Sequence, residues 1–214
     1  MHKKRDVRTL KNISDLSLFI RFLKLCAARI GQLINVASLA NECGISTLTA
    51  QSCLSILETS YVIYFLKPYH KNFNKRLVKS PKLYFYDTGL LNFLLEIQTS
   101  DDLLINRLKG NVFENLIIAN FIKVNEHRYL HRHYYFWQDH RGLEIDLLRK
   151  AGDDFDAYEI KSTQTVTNEL FKGLWNFADI AQPNIIHPHL VYGGDESYVR
   201  SGVQVIGWKD SGGL

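Results

Sequence analysis

Two short stretches constrain the fold more than any other part of the chain: Gly142-Leu-Glu-Ile-Asp-Leu-Leu and, after the turn Ala151-Gly-Asp-Asp, Phe155-Asp-Ala-Tyr-Glu-Ile-Lys. Both are rich in apolar residues (Leu143, Ile145, Leu147 and Leu148; Phe155, Ala157, Tyr158 and Ile160), which predicts central strands. The glycine-containing turn lets them pair as a hairpin. A period of two places Glu159 and Lys161 on one face with Ile160 on the other, and the pairing brings Asp146 close to Glu159. Strict alternation puts Glu144 on the face of Asp146, as an extra ligand or simply a neighbour.

Such a constellation has a chemical meaning. Two carboxylates about 4 Å apart repel by roughly 1–4 kcal/mol at surface-like dielectric, so they need a cation or a proton between them. Mg2+ (or Mn2+) suits Asp146 and Glu159, because it takes one or two carboxylates and fills its shell with waters and phosphate oxygens. It lowers the pKa of bound water and neutralises charge on a reacting phosphate. Lys161 is then placed to orient water or phosphate. The competing reading is a solvated face of an amphipathic hairpin, with Glu159 and Lys161 as a surface pair. Upstream, residues 111–122 read as a helix apolar almost all round, with Glu114 as its one acid. A buried carboxylate needs a partner, and a cation held by the hairpin would supply one.

The order Glu114, Asp146, Glu159-Ile-Lys161, then a helix, resembles the restriction-endonuclease-like superfamily, the PD-(D/E)xK nucleases. More of the chain is similar to the C-terminal region of prokaryotic AAA+-type ATPases, in which a P-loop module precedes a domain of unknown function with a nuclease-like fold. The residues carrying the likeness are Arg5-Asp6-Val7, residues 79–91 (KSPKLYFYDTGLL), Gly110-Asn-Val-Phe-Glu-Asn115, Phe136-Trp137, Gly142 to Asp146, Tyr158-Glu-Ile-Lys-Ser162 and Val205-Ile-Gly-Trp208. The resemblance implies a metal-dependent phosphodiester hydrolase with Asp146, Glu159, Lys161 and Glu114 in its site and an ATPase module as partner. It equally allows a non-catalytic DNA- or protein-binding module that targets the ATPase and keeps the fold without the reaction.

No G-x-x-x-x-G-K-[ST] occurs, so no nucleotide fingerprint lies in these residues and ATP hydrolysis is expected elsewhere in a longer protein. The chain reads as a C-terminal fragment of such a protein, with 1–9 as linker. No apolar run approaches the ~20 residues of a membrane span. Three cysteines without C-x-x-C spacing (Cys26, Cys43 and Cys53) predict a reducing, cytoplasmic setting and no structural zinc.

The net charge of +4 is mild, but its distribution is uneven. Between Glu58 and Asp87 there is no acid, while Lys67, Lys71, Lys75, Arg76, Lys79 and Lys82 fall there with Tyr69, His70 and Phe73 among them. Just before lie three helix patterns: one near 16–30, one from Val36 to Cys43 with Asn35 as cap and Gly44 as stop, and one capped by Ser46 or Thr47 and running to about Glu58. With strands in 61–66 and 82–86 they predict a winged helix-turn-helix. Its third helix would present Thr47, Thr49, Gln51 and Ser52 to DNA while Lys71, Lys75, Arg76, Lys79 and Lys82 meet phosphates. The absence of Arg and Lys from that helix favours backbone binding over base readout. Docking of the basic wing on the ATPase module is the open alternative.

Weaker signals complete the reading. His131-Arg-His133 and His140 lack a third zinc ligand, and His187-Pro-His189 reads as a loop. The expected architecture is α/β (α+β): a winged helix-turn-helix over 10–96, a polar junction at 98–102, and over 103–214 a restriction-endonuclease-like mixed sheet flanked by helices. Its strands fall near 133–138, 143–149, 155–161, 189–193 and 202–207, with a helix over 166–180.

Overall fold

A computed structural model describes residues 16–69 and 78–213, which divide into two compact units. One holds the described residues up to Phe65 together with Lys82–Leu108; the other holds those of Leu66–Pro81 and of Lys109–Leu214.

The first unit follows its local signals closely. Helices α1 (Leu16–Ala27), α2 (Val36–Cys43) and α3 (Thr47–Thr59) bury Phe22, Cys26, Leu39, Cys43, Cys53, Leu54 and Leu57 against one another. The Asn35 side chain accepts a hydrogen bond from the Ser38 amide, and Gly44 ends α2 at φ +76°. That left-handed turn carries little penalty only for glycine. Ser46 caps α3 by accepting from the Thr49 amide at 3.1 Å. Strands β1 (Ile63–Leu66) and β2 (Lys82–Phe85) form a two-stranded sheet, and the short helices α4 (Thr88–Leu94) and α5 (Ser100–Ile105) follow. Asp87 caps α4 through a 2.7 Å bond from the Leu90 amide, and Thr99 with Asp102 forms a capping box on α5. Such side-chain acceptors satisfy the orphan amides of a first turn.

The second unit is a six-stranded mixed sheet in the order β3-β4-β5-β6-β8-β7. Its strands are β3 (Tyr134–Gln138), β4 (Glu144–Ala151), β5 (Asp154–Lys161), β6 (Ile186–Tyr192), β7 (Tyr198–Arg200) and β8 (Val203–Gly207). Neighbours β3, β4 and β5 are antiparallel; β5, β6 and β8 are parallel; β7 returns antiparallel. The β4–β5 hairpin turns at Gly152-Asp153, with Gly152 at φ +67°.

Helix α6 (Lys109–His127) packs by Phe121 on Tyr158, with ring centroids 4.9 Å apart. Neighbouring residues of a strand point to opposite faces, so Glu159 looks the other way. There α7 (Lys172–Ala181), preceded by a short 3-10 turn (Asn168–Phe171), covers the sheet through Leu174, Phe177 and Ala181. No helix of the described residues is long and apolar enough to cross a membrane.

Two features depart from the expected layout. The described residues of 66–81 (66–69 and 78–81) fall with the sheet unit and not with the three helices. Tyr69 donates its amide to Phe136 O at 2.7 Å and packs against Tyr135 and Phe155 at 5.3 and 5.2 Å, so residues 67–69 run beside β3. An aromatic side chain offered such a core gains more there than in a solvated wing. His187-Pro-His189 is also strand rather than loop: Pro188 sits opposite Ala157, and His189 pairs with Tyr158 in the parallel register.

Candidate functional site

The β4–β5 register runs from Ala151↔Asp154 to Leu147↔Tyr158. Beyond that pair the Ile160 amide is taken by Asp146 Oδ2 at 2.8 Å instead of by a backbone carbonyl. The side chain of Asp146 thus replaces one rung of the ladder and is anchored at the point where the strands part. Lys161 Nζ lies 3.4 Å from the same Oδ2 and 2.6 Å from Glu159 Oε1. Two carboxylates from neighbouring strands and one ammonium therefore meet on one face.

Burial sets this group apart from a solvated surface pair. The side chains of Asp146 and Glu159 are 8% and 14% exposed, and that of Lys161 is 39% exposed. Glu159 Oε2 is buried and has no hydrogen-bond partner. Burial, followed by the negative charge of Asp146 and more weakly of Glu144, pushes the Glu159 carboxyl up to about 8 against the opposing pull of Lys161. The ammonium of Lys161 is also held above its ordinary value. Burial pulls it down, but the charges of Asp146, Glu159 and Glu114 outweigh that. Glu114, half-buried on α6, thus reaches the site through its field on Lys161.

At the start of α7, Gly173 leaves space over the carboxylates. A Cβ there would lie 3.8 Å from both Glu144 O and Glu159 Oε2.

Do these groups suit a divalent ion? Among the described residues no group of three or more His, Cys, Asp and Glu side chains is placed to hold one. A buried carboxylate pair with an orphaned oxygen does fit Mg2+, which asks the protein for only one or two carboxylates. The ammonium beside them is the competing occupant, supplying one positive charge against the two carboxylates.

The expected nucleic-acid contacts fare unevenly. Lys71, Lys75 and Arg76 lie outside the described residues, as do His70 and Phe73. Lys82 is only 4% exposed, because β2 is buried along its whole length; a buried lysine is not presented to a phosphate backbone. Lys79 and Gln51 are exposed, whereas Thr49 is half-buried with its hydroxyl 2.8 Å from Ser46 Oγ.

The opposite face of the sheet carries a polar cluster absent from the expectations. Arg149 Nε donates to Asp156 Oδ2 at 2.8 Å, and His189 Nε2 lies 3.4 Å from Asp156 Oδ1 while stacking on Tyr158 at 4.5 Å. Burial opposes the charge of Asp156, but the bonds from His189 and Arg149 hold its carboxyl down at about 2. Each member sits on a different strand or two residues away on the same strand. Only the cross-strand pairings, which leave no mark on local sequence, could have announced it.

Comparison with known proteins adds family context. Residues 3–101 match a domain of unknown function (DUF8612), and residues 109–210 match another (DUF4143). Uncharacterized proteins of Mycobacterium tuberculosis and Mycobacterium bovis are each 32% identical over 135 residues. That is 63% of this chain but 30% of either relative, so the likeness spans under a third of their length. The second matched domain, which contains the whole carboxylate–lysine site, is one often found at the C-terminus of AAA-type ATPases.

Proposed function

We propose that the sheet unit is a restriction-endonuclease-like, divalent-ion-dependent phosphodiester hydrolase serving an ATPase of which this chain is the C-terminal part. The observation that carries the reading is the convergence of Asp146, Glu159 and Lys161, with Lys161 Nζ 3.4 and 2.6 Å from the two carboxylates.

Asp146, fixed by the Ile160 amide, and Glu159, with its free Oε2, would hold Mg2+ or Mn2+. The ion would supply activated water and charge neutralisation at phosphorus. Lys161, displaced from between the carboxylates, would hold water or a phosphate oxygen. Asp146 and Glu159, with a smaller share from Glu114, keep Lys161 protonated. The three helices and two strands of the first unit read as a winged helix, on which the exposed Gln51 would face nucleic acid. Lys79, exposed on the other unit, would meet phosphate there.

The test is cleavage of single- and double-stranded DNA and RNA with Mg2+ or Mn2+, comparing wild type with Asp146→Asn. Metal-dependent cleavage lost in the variant supports hydrolysis. Neither cleavage nor divalent-ion binding by the wild type removes it.

One observation favours a second reading, in which the fold is a non-catalytic module that brings the ATPase its DNA or protein target. Lys161 Nζ lies 2.6 Å from Glu159 Oε1, and the Glu159 carboxyl is pushed up to about 8 and so protonated at neutral pH. The one ammonium then balances Asp146 without any metal ion. On that reading wild type and Asp146→Asn bind nucleic acid or the ATPase module equally, with no response to Mg2+.

A further inference from the structure

Between the β3–β4 turn and α7 lies an open cleft of about 340 Å3, lined by Asp139, Arg141, Leu143, Asn176, Asp179 and Ile180. None of these residues takes part in the carboxylate–lysine chemistry, yet the cleft adjoins it. Asn176 lies one turn along α7 from Gly173, about 5 Å by helical rise, and Gly173 is the residue facing Glu159 Oε2. Anything held against the carboxylates would have its neighbouring group within reach of this space.

The lining divides by role. Asp139 is buried, and its Oδ1 accepts from the Arg141 amide at 2.8 Å and the Leu143 amide at 3.0 Å. With Gly142 at φ +87°, this folds the turn and sets Arg141 on its rim. Arg141, Asn176 and Asp179 are exposed, while Leu143 and Ile180 are half-buried and apolar.

One exposed guanidinium, one exposed carboxylate and two aliphatic side chains make a selective set. Guanine is the base that offers adjacent acceptors, O6 and N7, to a forked arginine. It also offers two neighbouring donors, N1–H and the N2 amine, which match the two oxygens of a carboxylate. Adenine, cytosine and uracil lack one or both of these edges. A space of this size suits a nucleotide, and aliphatic walls suit the faces of its ring.

We propose that this cleft is a guanine-reading subsite, with Arg141 on O6/N7, Asp179 on N1/N2 and Asn176 on the sugar or phosphate. Its role for the nucleotide next to the scissile phosphate rests on the hydrolytic reading above; the recognition of guanine does not.

Metal-free calorimetric titration of the chain with GMP, AMP, CMP and UMP tests it. GMP binds at least about tenfold tighter than the other three, the discrimination expected of one good paired contact. Arg141→Met and Asp179→Asn each erase that preference, while Asp146→Asn keeps it. Both substituted side chains are exposed, so circular dichroism of the variants should match wild type. Equal affinity for the four nucleotides, no binding of GMP at millimolar concentration, or a preference that survives Asp179→Asn each overturns the proposal. Guanine-selective binding without any cleavage upholds the subsite while removing the hydrolytic reading. Metal-dependent cleavage with no selectivity for GMP does the reverse.

Discussion

Replacing Glu159 by glutamine tests the electrostatics of the site without any assumption about substrate. Its carboxyl is pushed up to about 8 in the folded chain, from an ordinary value of 4.5. Between those values the folded state holds a proton that the unfolded chain has released, so stability falls as pH rises. The contribution is complete below about 4.5 and is lost as pH passes through 8. At 1.36 kcal/mol per unit the whole span is worth on the order of 3–5 kcal/mol.

Glutamine cannot ionise, so Glu159→Gln should lack this slope. Urea unfolding at pH 5.5, 7.0 and 8.5 should show the wild type losing stability relative to the variant by about 2–4 kcal/mol across the range. On the metal-dependent reading proposed above a divalent ion takes the proton's place, so Mn2+ at pH 8.5 should restore the wild type and leave the variant unchanged. Parallel pH profiles for the two proteins would refute the reasoning, because they would mean that Glu159 ionises in the folded chain as easily as in water.

Other perturbations probe the frame around the site. Arg149→Met leaves the buried carboxylate of Asp156 with His189 as its remaining partner and should lower stability by about 2–3 kcal/mol in thermal or urea unfolding at pH 7. The low Asp156 pKa means that its stabilising share is present above about 4 and lost as pH falls through 2. The variant's deficit should therefore shrink in acid. Gly173→Ala meets only ordinary contacts at 3.8 Å and should gain up to about 1 kcal/mol of helix stability, with circular dichroism unchanged. Gly193→Ala places a Cβ 2.8 Å from Ser162 O, just after Lys161, and should destabilise by more than 1 kcal/mol in the same assay. Asn35→Ala removes the α2 cap and should cost about 1 kcal/mol by urea unfolding.

Legibility in the sequence followed the range of the interactions involved. Asn35, Gly44 and Ser46 act within three or four residues of themselves, so the ends of α2 and the start of α3 could be read directly. The hairpin was equally readable. A two-residue turn fixes register, and register fixes which side chains share a face. For that reason Asp146, Glu159 and Lys161 were expected together and are found together.

Lys82 shows where such reading stops. A lysine in a basic stretch looks solvent-facing, but β2 is buried at all four positions and takes the lysine with it. Residues 67–69 read as part of the basic wing, but the edge of β3 and the ring of Phe155 offer them a better partner.

Turn chemistry and the hairpin pattern thus indicated, from the sequence alone, that Asp146, Glu159 and Lys161 would meet. A bulge in β4 between Ile145 and Leu148 nevertheless breaks the strict alternation expected to extend to Glu144. Only the tertiary structure decided that the carboxylates are buried, that the lysine bridges them, and that a separate cleft opens beside them. Faces and caps depend on neighbours a few bonds away, whereas burial and charge depend on every element that packs above the sheet.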